Sequence, residues 1–266
     1  MMRTALQRLN PKGAAPARFI VLCHARSGSN LICWSLGEHR SVEEFGEIFH
    51  ESHIEAGARL PRGVAPYQSG DDAATFLEQQ IFAPPRRRRI GAQGFKIFFE
   101  HARSSPAAKS AWTYLIDHPD IRVIHLVRRN LLDCKLSHEI AMRTGHWYRK
   151  LGSTSEPQPI EPFSLSPWSC QDFFAQIVTW RMWAMEVFAH HPMLTLDYDS
   201  DLCGDFRETM ARVFDFVGVP AAPVAPKLVK QRDRSPCEQI LNYDELRRWF
   251  RHTLFEEFFA PAGAKR

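Results

Sequence analysis

The sequence predicts an α/β fold in which helices cover both faces of a parallel sheet. Short apolar, β-branched runs alternate with helical segments along the chain, which is the pattern of repeated strand–helix–strand units. Two of these runs end in a basic, polar turn at which a helix begins, a place where α/β proteins bind anions. The 266 residues fit one such domain, and we expect a flexible arm at 1–17 followed by a single domain at 18–266.

The composition limits the class of protein. Hydrophobic residues make up 44% of the chain and charged residues 24%, and both values are normal for globular proteins. No apolar run approaches the ~20 residues of a membrane-spanning helix, and the N-terminus lacks the apolar segment of a secretory signal. The net charge of +4 is too mild for a dedicated nucleic-acid-binding protein. We therefore expect a soluble, cytoplasmic protein with no nucleic-acid partner, and its oligomeric state stays open.

Each element follows from a local pattern. Short apolar runs predict strands at 19–23, 94–99, 121–127 and 193–197. Helical spacing, caps and proline breaks predict helices at 30–36, 71–82, 106–117, 131–144, 169–190, 202–217 and 243–258. The remaining segments lack clean periodicity or are rich in Gly, Pro and Ser, at 42–55, 57–70 and 152–167.

The turn after the first strand has the composition of an anion site. Gly28 would let the backbone approach an anion closely, and Arg26 adds a full charge. Hydroxyl and amide donors follow at Ser27, Ser29 and Asn30. The turn lacks the lysine and the spacing of a Walker A loop. Taken alone, the turn favours a plain strand–helix connection over an anion site.

A second basic turn follows the strand at 121–127. Asn130 is suited to cap the next helix, and Asp133 to its third position. Arg129 at the strand exit and Ser137 two turns into the helix could then hold one phosphate between them. The alternative is that the arginines are solvated and that Ser137 faces outward.

Together the two turns resemble the nucleotide-binding motifs of the sulfotransferases that use 3′-phosphoadenosine-5′-phosphosulfate (PAPS). The family's 5′-phosphosulfate motif is a strand followed by [KR]-[ST]-G-[ST]-[ST]. Residues 26–29 match its first four positions, and Asn30 replaces the usual hydroxyl. The family's 3′-phosphate motif is R-[ND]-x-x-D-x-x-x-S, which residues 129–137 match in order and spacing.

The resemblance extends over 19–258. The segment at 196–202, with the FRETMARVFDFVGVP block that follows, is similar to the family's Y-E-D-L and F-L-G-V-P block. In that comparison Tyr198 falls where a tyrosine contacts adenine. The segment at 230–246 resembles the C-terminal part of bacterial members, which closes over the nucleotide.

This resemblance implies a P-loop-like sheet, PAPS as the donor, adenosine 3′,5′-bisphosphate as its product, and no metal. It also implies transfer to a hydroxyl of a carbohydrate, a glycolipid or another small acceptor. The implied nucleotide-binding residues are Arg26, Ser27, Gly28, Ser29, Asn30, Leu31, Arg129, Ser137, Tyr198, Lys230, Gln231 and Arg232. A small-molecule kinase with a degenerate phosphate loop and a non-catalytic nucleotide-binding scaffold are the alternatives.

Sulfuryl transfer needs a base for the acceptor and a cation at the leaving oxygen. We expect Arg26 to supply the cation with help from Lys96, whose place in an apolar strand could otherwise mean only a snorkelling edge lysine. Glu47 resembles the glutamate that serves as base in carbohydrate and tyrosyl-protein sulfotransferases. The cytosolic small-molecule branch uses a histidine instead, and the candidates are His50, His53 and His101.

Two further features of the sequence concern metal binding and the charge of the acceptor. The pair His50 and His53 has no third ligand in its pattern, and the six cysteines form no C-x-x-C pair. We therefore expect no metal site and reduced, mostly buried thiols. The run Arg86–Arg89 suits an anionic acceptor, or else a solvated loop.

Overall fold

The fold is described from a computed structural model that covers residues 15–50, 60, 64–68, 70–85, 89–153, 160–229 and 234–260. The strands are β1 (Ala17–Cys23), β2 (Val42–Glu44), β3 (Ala92–Phe98), β4 (Arg122–Val127), β5 (Arg149–Lys150), β6 (Met193–Asp197) and β7 (Leu228–Val229). The α-helices are α1 (Ser29–Glu38), α2 (Ala73–Phe76), α3 (Pro106–Asp117), α4 (Leu131–Thr144), α5 (Pro167–Val187), α6 (Phe206–Val217), α7 (Pro236–Gln239) and α8 (Tyr243–Trp249). Two π-turns and a 3₁₀ turn complete them, at Leu77–Ile81, Tyr198–Leu202 and Glu256–Phe259.

In the described chain, five strands form a parallel sheet in the order β2-β3-β1-β4-β6. Strands β2 and β3 lie on one side of β1, and strands β4 and β6 lie on the other side. Such a reversal leaves a crevice at the carboxyl ends of the strands beside β1. Because Cys23 at the end of β1 pairs with Phe98 at the end of β3, the loops after these strands leave the sheet side by side.

Strand β1 is buried on both faces of the sheet. Ile20 and Leu22 pack into the layer that contains α3 and α5. The alternate residues Phe19, Val21 and Cys23 pack against α1 and α6. A continuous apolar run is the signature of a strand covered on both sides. The predicted α/β fold with helices on both faces is therefore confirmed.

The start of α4 is fixed by a cap and by the C-terminal segment. The Oδ1 atom of Asn130 accepts a hydrogen bond from the Asp133 N–H at 3.0 Å, so the predicted N-cap is present. Its Nδ2 donates to the carbonyl of Phe258 at 3.1 Å. Phe258 belongs to an apolar cluster that joins α4 to α5 and α8. The exit of β4 therefore has a well-defined geometry.

Three predicted elements differ from the structure. The stretch 42–55, predicted without regular structure, contains β2, whose three residues are too few for a periodic signal. The helix predicted at 202–217 begins later because Asp205 caps α6 by accepting from the N–H at its third position. The helix predicted at 243–258 ends with α8, and the positive φ of His252, 64°, interrupts it.

Two predictions concern the organisation of the whole chain. Strand β1 begins at Ala17, but 1–14 lie outside the described residues. The division into an arm and one domain therefore stays a prediction, as does the cytoplasmic location. No helix within the described ranges is long and apolar enough to cross a membrane.

Candidate active site

A cavity of about 1360 Å³ lies at the carboxyl ends of β1, β3 and β4. Its walls come from the turn after β1, the loops after β2 and β3, Arg128 after β4, the middle of α4 and the π-turn after β6. The ribbon of β5 and β7 adds Arg149, Leu228 and Val229. Single ligand pockets usually measure about 300–1,000 Å³, so this cavity has room for two substrates.

The turn after β1 presents its backbone to the cavity. Arg26 and Gly28 both have a left-handed backbone, with φ of 68° and 90°, and α1 then starts at Ser29 with its first N–H groups available to an anion. Ser27 is completely buried, and its hydroxyl donates to the carbonyl of His24 at 2.8 Å. Its side chain therefore stabilises the turn, and a role of Ser27 in binding the nucleotide stays a prediction. The residues of this turn and of the first turn of α1 that line the cavity are Ala25, Arg26, Gly28, Ser29, Asn30 and Leu31.

Tyr198 packs directly on this turn. A Cβ atom added to Gly28 would lie 2.4 Å from Tyr198 Cδ2 and 2.8 Å from its Cε2. The guanidinium carbon of Arg128 lies 4.6 Å from the centroid of the same ring. Burial raises the pKa of Tyr198 to about 12, so its hydroxyl is uncharged at neutral pH. The three residues form one wall of the cavity.

We expect Gly28→Ala to destabilise the protein more than Gly145→Ala. Both glycines have positive φ, 90° and 69°, and a left-handed backbone costs other residues about 1–2 kcal/mol. A Cβ at Gly145 meets nothing within 4 Å in the described structure, whereas one at Gly28 collides with Tyr198. Urea unfolding of the two variants measures the difference in free energy. Equal losses would contradict the close packing of Tyr198 on the turn.

The two sequence motifs meet at Arg26. Its Nε donates to the Ser137 hydroxyl at 3.0 Å, and its Nη1 donates to the carbonyl of Trp147. Burial and the nearby Arg128 lower the pKa of Arg26 to about 10, so the guanidinium is still charged at neutral pH. Arg26 and Ser137, far apart in sequence, thus line the same cavity.

The adjacent arginines at the end of β4 occupy different environments. Arg128 lines the cavity and is only 4% exposed. Its Nη2 donates to Asp133 at 3.1 Å, and its buried Nε, 3.8 Å from Asp199 Oδ2, has no hydrogen-bond partner within the described structure. Arg129, which the motif match assigns to the 3′-phosphate, has an 81% exposed side chain 3.5 Å from Asp197. The structure therefore brings Arg128 to the cavity and leaves Arg129 at the surface.

Lys96 is a buried lysine with two partners. Its ammonium pairs with the Glu47 carboxylate and donates to the Asn30 side-chain carbonyl, and it lies 5.2 Å from the Phe98 ring centroid. Burial lowers the pKa of Lys96, but Glu47 and other neighbours outweigh this effect and the net shift is upward. Because the residue is only 1% exposed, the alternative of a snorkelling edge lysine is wrong.

Glu47 reaches Lys96 because the chain turns at Gly46. Gly46 has a φ of 73°, its N–H donates to Glu44 Oε1 at 2.9 Å, and its carbonyl accepts from the Lys96 N–H at 2.9 Å. Pairing with β3 thus continues beyond the end of β2. The Glu47 carboxylate then points into the cavity beside Lys96.

Two of the three rival histidines also line the cavity. The rings of His50 and His101 lie edge to face with centroids 5.7 Å apart, whereas His53 lies outside the described residues. Burial lowers the pKa of His101 to about 4. Its Nδ1 accepts a hydrogen bond from the Phe98 N–H at 3.3 Å, so the proton of the neutral ring is on Nε2. His101 is thus a poor acceptor for a substrate proton.

Several lining residues carry no sequence signal, because tertiary packing alone brings their loops to the cavity. The main ones are Glu100, Arg103, Trp147, Tyr148 and Arg149.

Three predicted nucleotide-binding residues, Lys230, Gln231 and Arg232, lie outside the described residues, as do 86–88 of the arginine run. Where the structure is described, it holds no group of three His, Cys, Asp or Glu residues arranged for a metal ion. Four cysteines are buried, namely Cys23, Cys33, Cys134 and Cys170.

Comparison with known proteins gives relatives along nearly the whole chain, although no family model matches it. Nodulation protein H of Rhizobium meliloti strain 1021 is 24% identical over 250 residues, which cover 93% of this chain and 97% of the relative. Nodulation protein H of Rhizobium tropici is 25% identical over 257 residues, 94% of this chain and 98% of the relative. A sulfotransferase crystal structure from Alicyclobacillus acidocaldarius aligns with 89% of this chain and 92% of its own, at 14% identity and a TM-score of 0.47.

Sequence motifs, the geometry of the cavity and the similarity to relatives agree with one another. The two motifs have the order and spacing of the sulfotransferase motifs. In the structure, Arg26 of the first motif and Ser137 of the second meet at one cavity. The similarity to both nodulation proteins covers more than nine-tenths of each chain. The chain is thus similar to nodulation protein H over nearly its whole length, and its two motifs resemble those of the sulfotransferases.

Proposed function

We propose that the chain transfers the sulfuryl group of PAPS to a hydroxyl of a carbohydrate or glycolipid acceptor. The observation that carries this proposal is that Arg26 and Arg128 lie at one end of the cavity and the two carboxylates that line it lie at the other. Arg26 and Arg128 follow β1 and β4, whereas Glu47 and Glu100 follow β2 and β3 on the other side of the sheet. A polyanionic donor fits the arginine side, and a hydroxyl-bearing acceptor fits the carboxylate side.

The arginine side fits the nucleotide part of the donor. Gly28 and the first N–H groups of α1, with Arg26, would hold the phosphosulfate. Arg128 and Ser137 would hold the 3′-phosphate, and Tyr198 would lie against the adenine. The buried Nε of Arg128, which lacks a hydrogen-bond partner in the described structure, supports this assignment because a phosphate oxygen would satisfy it.

The carboxylate side fits the chemistry of the acceptor. In the transfer, the acceptor oxygen forms a bond to sulfur while the bond from sulfur to the bridging oxygen breaks. We assign the acceptor's proton to the Glu47 carboxylate, which lines the cavity. Lys96 connects Glu47 with Asn30 in the turn, so its ammonium lies between the base and the phosphosulfate loop. There it can stabilise the charge that develops on the leaving oxygen.

The two alternatives explain less of this site. A P-loop kinase uses a Walker A lysine to hold the phosphates of its nucleotide, and the turn after β1 has none. A non-catalytic scaffold has no need of Glu47 and Lys96 in the cavity. A buried ion pair contributes little to stability over a packed apolar pair, so stability alone does not account for these two residues.

A thermal-shift comparison of adenosine 3′,5′-bisphosphate, ATP and AMP tests the nucleotide. A ligand that binds the native state raises the melting temperature, and the stabilisation grows with the logarithm of its concentration divided by its dissociation constant. At equal concentrations we expect the largest rise with adenosine 3′,5′-bisphosphate. A larger rise with ATP would favour the kinase, and no rise with any of the three would contradict nucleotide binding.

We also expect turnover to survive EDTA. A sulfuryl group carries less charge than a phosphoryl group, and Arg26, Arg128 and Lys96 already supply cations along the cavity. Product formation measured with and without EDTA checks this. Strict dependence on magnesium would contradict it and would favour the kinase.

A further inference from the structure

Arg103 lies in the loop after β3, on the carboxylate side of the cavity. Its guanidinium carbon is 4.8 Å from the ring centroids of both Trp112 and Trp183. Its Nε donates to the carbonyl of Phe99. The Trp112 indole is itself fixed by a 2.9 Å hydrogen bond to the carbonyl of His101. The guanidinium is thus held in place from two directions before any substrate binds.

The two Nη atoms are the outer hydrogen-bond donors of this guanidinium. In the described part of the chain, neither Nη atom of Arg103 has a hydrogen-bond partner, and no carboxylate forms an ion pair with it. Burial lowers the pKa of Arg103 and Glu100 acts in the opposite direction, but an arginine stays charged at neutral pH. A planar, preorganised fork of this kind matches a carboxylate or a phosphate.

We propose that Arg103 binds an anionic substituent of the acceptor, a carboxylate or a phosphate ester, while the reacting hydroxyl lies at Glu47. This inference rests on the proposed sulfotransferase function, because it divides the acceptor side between a reacting group and a recognition group. The acceptor is then an acidic carbohydrate or glycolipid, and Arg103 determines that specificity.

A purely structural role explains the geometry less well. Trp112 and Trp183 already pack edge to face with centroids 5.1 Å apart, so their contact does not require a cation. An arginine that serves packing alone usually directs its charged head into water. Arg103 is only partly buried, but the open space that it borders is the cavity that the candidate base also lines. Glu100 also lines it, so an anionic substituent binds there only if the fork compensates for the repulsion.

The test measures binding of three probes to the enzyme loaded with adenosine 3′,5′-bisphosphate. The probes are methyl β-D-glucuronide, glucose 6-phosphate and, as the neutral reference, methyl β-D-glucoside. Calorimetry on the unsubstituted protein should show at least one anionic probe binding about tenfold more tightly than the glucoside, the size of one charge-assisted contact. Which anionic probe binds more tightly distinguishes a carboxylate from a phosphate ester.

Arg103→Gln should abolish this preference, and Arg103→Lys should restore only part of it, because an ammonium cannot form the two-pronged contact. Arg143→Gln is the matched control. Its guanidinium also lies over an aromatic ring, that of Phe163 at 4.1 Å, but outside the residues that line the cavity. This variant should keep the full preference.

Affinity for adenosine 3′,5′-bisphosphate shows whether each variant is folded and whether the donor site is correct. If the unsubstituted protein fails to bind this nucleotide, the proposed function fails first. If the nucleotide binds but the anionic probes show no advantage, or if their advantage survives in Arg103→Gln, the Arg103 assignment is wrong. A variant that loses the nucleotide is replaced in the comparison by Arg103→Lys, whose full preference would equally overturn the assignment.

Discussion

Replacing Glu47 with glutamine should slow sulfuryl transfer by about 100- to 10,000-fold, the usual contribution of a general base. The amide keeps the shape of the side chain and can still accept a hydrogen bond from Lys96, so the affinity for adenosine 3′,5′-bisphosphate should hold. Single-turnover rates measure the first effect, and calorimetry measures the second.

The histidines of the cavity provide the controls. His50→Ala and His101→Ala should retain most of the rate, because neither carries the base function in this account. His101 is the less suited of the two, since burial lowers its pKa to about 4 and its Nδ1 already accepts a backbone N–H. An active Glu47→Gln together with an inactive histidine variant would transfer the role of base to that histidine.

Arg128→Gln should weaken the binding of adenosine 3′,5′-bisphosphate by about 1.5–3 kcal/mol, or about 10- to 150-fold, the range for a hydrogen bond to a charged group. The loss should fall on the 3′-phosphate, so AMP should bind nearly as before. Arg129→Gln is the matched variant one residue away, and its exposed side chain should contribute far less. Titration calorimetry with both nucleotides measures all four affinities.

The opposite result would restore the assignment made from the motif. If Arg129→Gln loses the 3′-phosphate and Arg128→Gln does not, then Arg129 leaves Asp197 and turns into the cavity when the nucleotide binds. If both variants lose AMP and adenosine 3′,5′-bisphosphate equally, the two arginines support the fold of the site and neither recognises the 3′-phosphate.

The fold follows from the sequence because its signals are local. A strand covered on both faces gives a continuous apolar run such as 19–23, and α4 has its N-cap at Asn130, where the sequence places it. Strand β2 could not be predicted, because three residues are too few to show an alternation of apolar and polar side chains. Its position depends on pairing with β3, which the sequence alone does not reveal.

The site is predictable only in part, because only some of its residues have a local signal in the sequence. Arg26, Glu47 and Lys96 lie at the ends of strands, and neighbouring strands bring such positions together. The choice between Arg128 and Arg129 depends on direction, because successive side chains at the end of a strand point to opposite sides. Motif spacing counted from the helix does not resolve that alternation.

Arg103 has no local signal at all. Its guanidinium is held by two tryptophans, on α3 and α5, and only the folded chain brings these residues to it. No pattern around residue 103 distinguishes this arginine from the many others in the sequence.

The most direct test of the account is to follow the sulfuryl group itself. The protein is incubated with PAPS labelled in its sulfur and with a mixture of neutral and acidic oligosaccharides and glycolipids. We expect label to appear on a saccharide hydroxyl, with one adenosine 3′,5′-bisphosphate released for each group transferred and with this transfer slowed about 100-fold or more in Glu47→Gln. Nucleotide binding without any transfer across this mixture, or transfer of phosphate from ATP instead, would contradict the account.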